Sequence, residues 1–143
     1  MEKNELIAFI SCKMNDEERK FTECGYGNGY VAVPPDHPYA RVRFDDEKLD
    51  WLFVHGGITY SEPADLEEGI FLLEDAEFVG GGSFVPDDYW VFGFDTCRIG
   101  DNLETWGKER LINETLFLKK QLEIPYITNE SRDLRTKDFC CHD

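Results

Sequence analysis

Short apolar runs, each broken by glycine, proline or an acidic pair, make up the first part of the chain, and a helical stripe makes up the last. Tyr30-Val31-Ala32-Val33 is an apolar run halted by Pro34-Pro35, which predicts a strand. Leu49 to Val54 contains Trp51, Leu52 and Phe53 and predicts a strand buried on both faces. Ile58-Thr59-Tyr60 resumes beyond Gly56-Gly57, a step that marks a bulge or sharp bend. Gly69 to Leu73 and Ala76 to Val79 read as further strands, and Pro86-Asp87-Asp88 as a turn into a strand over Tyr89 to Phe94. Leu6 to Ser11 fits a strand or a buried helical turn.

Two helices are predicted. Asn15 ahead of Asp16-Glu17-Glu18, with Arg19-Lys20 behind, has the cap and charge order of a short one. The longer spans Leu103 to Leu122. Leu103, Leu111, Leu118 and Leu122 fall on one stripe at a period near 3.6, and Ile112 and Leu116 lie on its shoulder. Pro125 is expected to end it. Several strands followed by one long helix predict an α+β fold, with the helix across one face of a mostly antiparallel sheet. A single domain is expected over 1–127, followed by a polar, loosely held tail over 128–143.

Charge narrows the partners. The chain has 143 residues, of which 30 are acidic and 15 basic, for a formal net charge of -15. Phosphate backbones and anionic membranes repel such a surface, and a basic protein surface complements it. The same charge also serves plain solubility. The carboxylates are spread along the chain, and those flanking predicted loops are the candidate contacts: Asp45, Asp46, Glu67, Glu68, Asp87 and Asp88.

The five cysteines, Cys12, Cys24, Cys97, Cys140 and Cys141, are odd in number and lack a CxxC spacing. With no apparent secretory leader and no apolar run of membrane-spanning length, they predict free thiols in a reducing cytoplasm. Adjacent Cys140-Cys141 suits a terminal tail better than a tetrahedral metal site.

Candidate chemistry gathers at strand ends. Val54-His55-Gly56-Gly57-Ile58-Thr59-Tyr60 and Gly93-Phe94-Asp95, running on to Gly100-Asp101, each end an apolar run at glycine beside a polar side chain. His55, Asp95 and Asp101 can serve as base, acid or metal ligands, with His37 a possible second imidazole. Each also has a structural reading. His55 can order the Gly56-Gly57 bend, Asp95 can hold amides of its own loop, and Asp101 can cap the helix near Leu103. Gly56, Gly57, Thr59, Gly93 and Gly100 form the frame of these motifs. Gly25, Gly27 and Gly29 belong to a loop that reads as a turn rather than a phosphate cradle, since no Lys-Ser/Thr follows. Trp51, Trp90 and Trp106 read as core. The Ser/Thr phosphatases share a His-Gly-Gly segment, but their metal-binding GDxHG and GNHE motifs are absent.

As an ordered set, Gly29-Tyr30-Val31-Ala32-Val33-Pro34, His37-Pro38, Val54-His55-Gly56-Gly57-Ile58-Thr59-Tyr60 and Gly93-Phe94-Asp95 to Gly100-Asp101 resembles a family of small proteins encoded by bacteriophages and prophages. The resemblance runs from Gly29 to Leu122. Related sequences often carry a His between the Asp and the Gly-Asp, where this chain has Arg98. The resemblance implies a viral or mobile-element origin and brings no activity with it.

Three functions follow as expectations. The leading one is an acidic binding protein, without a cofactor, that inhibits a host protein in the host cytoplasm. Its target is expected to be a defence protein, in the manner of an anti-CRISPR, whose basic nucleic-acid-binding surface it occupies. The second is a metal-assisted hydrolase using His55, Asp95 and Asp101. The third is a small-ligand sponge lined by the Gly-rich loop and the His55-Gly56-Gly57 bend. The sequence leaves the oligomeric state open.

Overall fold

A computed structural model describes residues 5–12, 24–65 and 76–138, with the backbone alone over 127–138. Five strands form one antiparallel sheet: β1 (Ile7–Ser11), β2 (Asn28–Val33), β3 (Tyr60–Pro63), β4 (Ala76–Gly80) and β5 (Trp90–Phe94). Their spatial order is β3-β5-β2-β1-β4. One long helix, α1 (Lys108–Asp138), packs on β1 and β2. The fold is therefore α+β.

Strand alternation sorts the side chains between two cores. Toward α1 point Ala8, Ile10, Val31, Val33, Phe92 and Phe94, which meet Leu111, Leu118 and Leu122. The opposite face carries Ile7, Phe9, Tyr30, Ala32 and Val91, with Val85 and Tyr89 packed against them. Phe9 stacks on Tyr30 at 5.2 Å, and Tyr60 meets Tyr30 edge-on at 5.6 Å. Because both faces are buried, β1 and β2 are almost continuously apolar. Leu111, Leu118 and Leu122 have no exposed surface, and burial of each contributes about 2 kcal/mol.

The helix differs from its predicted bounds at both ends. It starts at Lys108, and Leu103 lies outside it and is half exposed. Asn102 Oδ1 accepts the N–H groups of Glu104 and Thr105 and forms a separate turn. The Trp106 carbonyl accepts the Tyr26 N–H at 2.8 Å, so it serves the sheet side of the molecule. Pro125 does not end the helix, which continues to Asp138. A proline has no N–H for the carbonyl four residues back, here that of Gln121. The neighbouring Leu122 carbonyl accepts a bond at 2.7 Å from His37 Nε2–H, so this turn has a partner outside the helix.

The predicted strand over Leu49 to Val54 is also absent. Asp46 accepts the Lys48 N–H and caps a 3-10 turn, Glu47–Leu49, and a further bond from Leu52 N–H to the Leu49 carbonyl continues the winding. Leu49 and Leu52, three residues apart, reach the core, and Phe53 is 74% exposed. Turn spacing therefore won over the apolar run. The helix predicted after Asn15 and the strand predicted over Gly69 to Leu73 fall outside the described residues.

Cys24 and Cys97 form a disulfide across a sequence separation of 73, which corrects the reading of all five cysteines as free thiols. The entry to β2 and the exit from β5 are neighbours, and they bring the two Cα atoms to 4.3 Å. The thiol argument for a reducing compartment fails with that pairing. Cys12 takes no part in that disulfide, and Cys140 and Cys141 lie outside the described residues. Among the described residues no helix is long and apolar enough to cross a membrane.

Candidate functional site

Two places concentrate chemistry. The first is built around His55. Gly56 and Gly57 follow it with φ of 74° and 80°, a left-handed pair that turns the chain sharply and leaves the imidazole at the outer end of the sheet. Glu114 and Gln121, two turns apart on α1, hold the incoming segment. Glu114 accepts the His55 N–H at 2.8 Å, and Gln121 binds both the N–H and the carbonyl of Phe53.

From the other side comes the loop after β5. His55 Nε2–H donates to Asp101, with Oδ2 at 2.9 Å and Oδ1 at 3.0 Å. Asp101 is buried and also accepts the Arg98 N–H at 2.9 Å. Burial pushes its carboxyl pKa up. The hydrogen bonds from His55 and Arg98 and their positive charges outweigh that, and the net pKa is lowered. The His55 ring packs on Trp106 at 4.3 Å, and the Arg110 guanidinium stacks on Trp106 at 4.1 Å. Arg98 lies against Gly56, where even a methyl group would meet its guanidinium stem.

Of the three residues offered as a catalytic set, the structure joins His55 and Asp101 and leaves Asp95 out. Asp95 accepts the Cys97 N–H within its own loop. Asp101 does not cap a helix at Leu103, a place taken by the Asn102 turn. His37 is not a partner of His55. It is buried, stacks on Tyr126 and spends both ring nitrogens on Leu122 and Tyr39. Among the described residues no three His, Cys, Asp or Glu side chains converge as a metal would require.

The glycine loop is not a cradle. A side chain at Gly25 would strike Thr96 and Trp106, and one at Gly27 would strike the Ser11 carbonyl, so protein fills the space a ligand would need. Gly93 is likewise closed by the Tyr30 ring. Thr59 is exposed and donates its N–H to the Gly93 carbonyl, while Gly100, with φ of 94°, turns in open space. Trp106 is buried. Trp51 and Trp90 are only partly so.

The second place is an open cleft of about 250 Å³ beyond the far ends of β3 and β5. Asp65, Asp87 and Asp88 line it, together with Tyr89, Trp90, Pro35, Pro63 and Arg41. The Pro86-Asp87-Asp88 turn is closed by the Tyr89 N–H on the Pro86 carbonyl, and the Tyr89 carbonyl accepts the Ala64 N–H. These bonds set Asp65 beside the Asp87–Asp88 turn. All three carboxylates are exposed, and no cation of the described residues pairs with them. Trp90 is oriented by its indole N–H on Ser61 Oγ at 2.7 Å. Arg41 holds a left-handed φ of 73°, unusual for a residue with a side chain.

The other candidate contacts have different surroundings. Asp45 pairs with Arg43 at 3.3 Å, Asp46 caps the 3-10 turn, and Glu67 and Glu68 lie outside the described residues. Asp65 and Arg41 were not among the candidate site residues of the sequence, and Trp90 was read there as core. Asp65 follows an ordinary Pro63-Ala64 step, and no spacing announces that β3 ends beside the turn before β5. Gln121 did leave a signal, as a polar residue beside the buried Leu118 and Leu122 positions of the stripe.

No protein-family model, curated protein or solved structure matches the chain.

Proposed function

We propose that the protein is an acidic recognition module that occupies a basic, nucleic-acid-binding surface of another protein, with the cleft at Asp65, Asp87 and Asp88 as a principal contact. The unpaired carboxylates of that cleft carry the reading. A guanidinium or ammonium group finds three negative charges there, and its aliphatic stem finds the aromatic walls of Tyr89 and Trp90. The net charge of -15 supports it through long-range steering toward a positive partner. Nucleic acid is a competitor for that partner, because phosphate is repelled by this protein and attracted by its target. The resemblance to phage and prophage proteins favours a host defence protein as the target, met in the host cytoplasm.

The test uses capture of partners from host lysate at low and moderate ionic strength, with wild type and with the D65N/D87N/D88N variant. A partner retained by wild type, lost with the variant and displaced by added DNA or RNA is the expected result. Retention indifferent to both the variant and nucleic acid would sink the reading.

A further inference from the structure

The loop over 97–101 is held to the rest of the molecule at few points. Within itself it is closed by Arg98 N–H on Asp101 and Asp101 N–H on the Arg98 carbonyl, and its first N–H, that of Cys97, is held by Asp95 just ahead of it. Outward, among the described residues, it has the Cys24–Cys97 disulfide, the Asp101–His55 hydrogen bond, the Arg98 side chain against Gly56 and a long bond at 3.4 Å from the Thr105 hydroxyl to the Gly100 carbonyl. Its flanks are fixed more firmly. Thr96 is buried, its carbonyl accepts the Gly25 N–H at 2.7 Å and its hydroxyl donates to the Gly27 carbonyl at 2.6 Å, while Trp106 accepts the Tyr26 N–H. One covalent tie and a few side-chain contacts, chief among them the His55–Asp101 hydrogen bond, thus hold a loop whose two ends are anchored independently.

We propose that the Cys24–Cys97 disulfide is a reducible tether that fixes the 97–101 loop, and that a dithiol reductant releases the loop without unfolding the sheet. Cys97 is exposed and Cys24 is half-buried, so Cys97 Sγ is the sulfur open to attack. A thiolate of the reductant bonds to Cys97 Sγ, the S–S bond breaks, and Cys24 leaves as a thiolate that takes up a proton. The second thiol of the reductant, as thiolate, then attacks its own sulfur in the mixed disulfide and expels Cys97. The protein gains two electrons and two protons, and the dithiol becomes a cyclic disulfide. With the covalent tie gone, Asp101 is kept beside His55 by their hydrogen bond and by the Arg98 contact.

Two measurements on the full chain decide this. Peptide mapping with a thiol alkylator, under native non-reducing conditions, is expected to recover Cys24 and Cys97 as a linked pair, and to alkylate both after dithiothreitol. Alkylation of both before reduction overturns the proposal. Amide hydrogen exchange then compares oxidised with reduced protein. Exchange at Arg98 and Asp101 is expected to rise roughly tenfold or more, while the Gly25 and Tyr26 amides stay protected. Reoxidation with a disulfide oxidant should restore the first rates. Unchanged exchange at Arg98 and Asp101 overturns the proposal, and so does an equal rise at Gly25 and Tyr26, which marks a disulfide that only stabilises the whole fold. The C24S/C97S variant should match the reduced protein. Because the reduced wild type is measured directly, the conclusion does not depend on that variant folding.

Discussion

Gln121 gives Phe53 the two hydrogen bonds that a neighbouring strand would give: its Oε1 accepts the Phe53 N–H at 2.7 Å and its Nε2 donates to the Phe53 carbonyl at 2.9 Å. A helix side chain therefore completes the backbone of a segment that, among the described residues, pairs with no strand. With Glu114 on the His55 N–H, it fixes the approach to the Gly56-Gly57 bend.

Replacing Gln121 should therefore cost more than a surface helix substitution. Q121A is expected to destabilise by about 2 kcal/mol, since two backbone groups lose their partners. Q121E keeps the acceptor but sets a carboxylate against the Phe53 carbonyl, so its loss should be larger at neutral pH and shrink under acid, as the carboxyl regains a donor. Urea unfolding at two pH values measures both.

The lowered pKa of Asp101 makes an acid-side prediction. A carboxyl whose folded pKa lies below its unfolded value stabilises the protein above the unfolded value, near 3.9, and that contribution is lost as pH falls through the folded pKa. D101N removes this dependence. It should cost about 1.5–3 kcal/mol at neutral pH, the range for a hydrogen bond to a charged group, and cost progressively less under acid. Unfolding curves from pH 7 down to the acid limb would decide it.

His37 predicts the opposite kind of titration. Its Nε2 must carry the proton, because the Leu122 carbonyl can only accept, and its Nδ1 must be bare to accept the Tyr39 N–H at 3.0 Å. A second proton would set two N–H groups against each other. Burial lowers the pKa, outweighing the Leu122 bond and the Asp36 charge that raise it. As pH falls below about 6.5 the unfolded chain takes up a proton that the folded chain refuses, so stability drops there. H37Q should flatten stability across this window, at a cost of about 1–3 kcal/mol where His37 is neutral. Thermal unfolding between pH 5 and pH 8 reads the slope.

Arg41 offers a test of the cleft that does not sacrifice the fold. Its left-handed φ of 73° costs about 1 kcal/mol, which glycine or asparagine avoids. R41N is expected to leave stability unchanged or slightly higher and to make the cleft more negative. Capture of a basic partner should then tighten, with a steeper dependence on salt. Weaker capture by a normally stable R41N protein would mean that Arg41 is itself a contact.

Much of the fold was legible in short-range pattern. Tyr30 to Val33 ends at Pro34-Pro35, where the backbone donor disappears, and Tyr89 to Phe94 follows a Pro-Asp-Asp turn. Both lie within or across strands of the sheet. Leu111, Leu118 and Leu122 announced the buried stripe of α1. The failures share one cause. At Leu49 to Val54 an apolar run suggested a strand, but the Asp46 cap and the spacing of Leu49 and Leu52 wind it into turns, and Gln121 supplies bonds that no local pattern contains. Pro125 is tolerated within α1, where His37, far away in sequence, binds the adjacent carbonyl.

The candidate sites divide the same way. His55, Asp101, Asp87 and Asp88 were visible as polar residues at the ends of apolar runs. Their partners were not. The pairing of Asp101 with His55 in place of Asp95, the disulfide across 73 residues, and the meeting of Asp65 with the Asp87-Asp88 turn all depend on strand order. Local sequence determined the central strands, the buried stripe of the helix and how much charge the chain carries, because propensity, periodicity and capping act over a few residues. Only the tertiary structure decided which distant side chains meet, because that follows from how the sheet is ordered and where α1 lies across it.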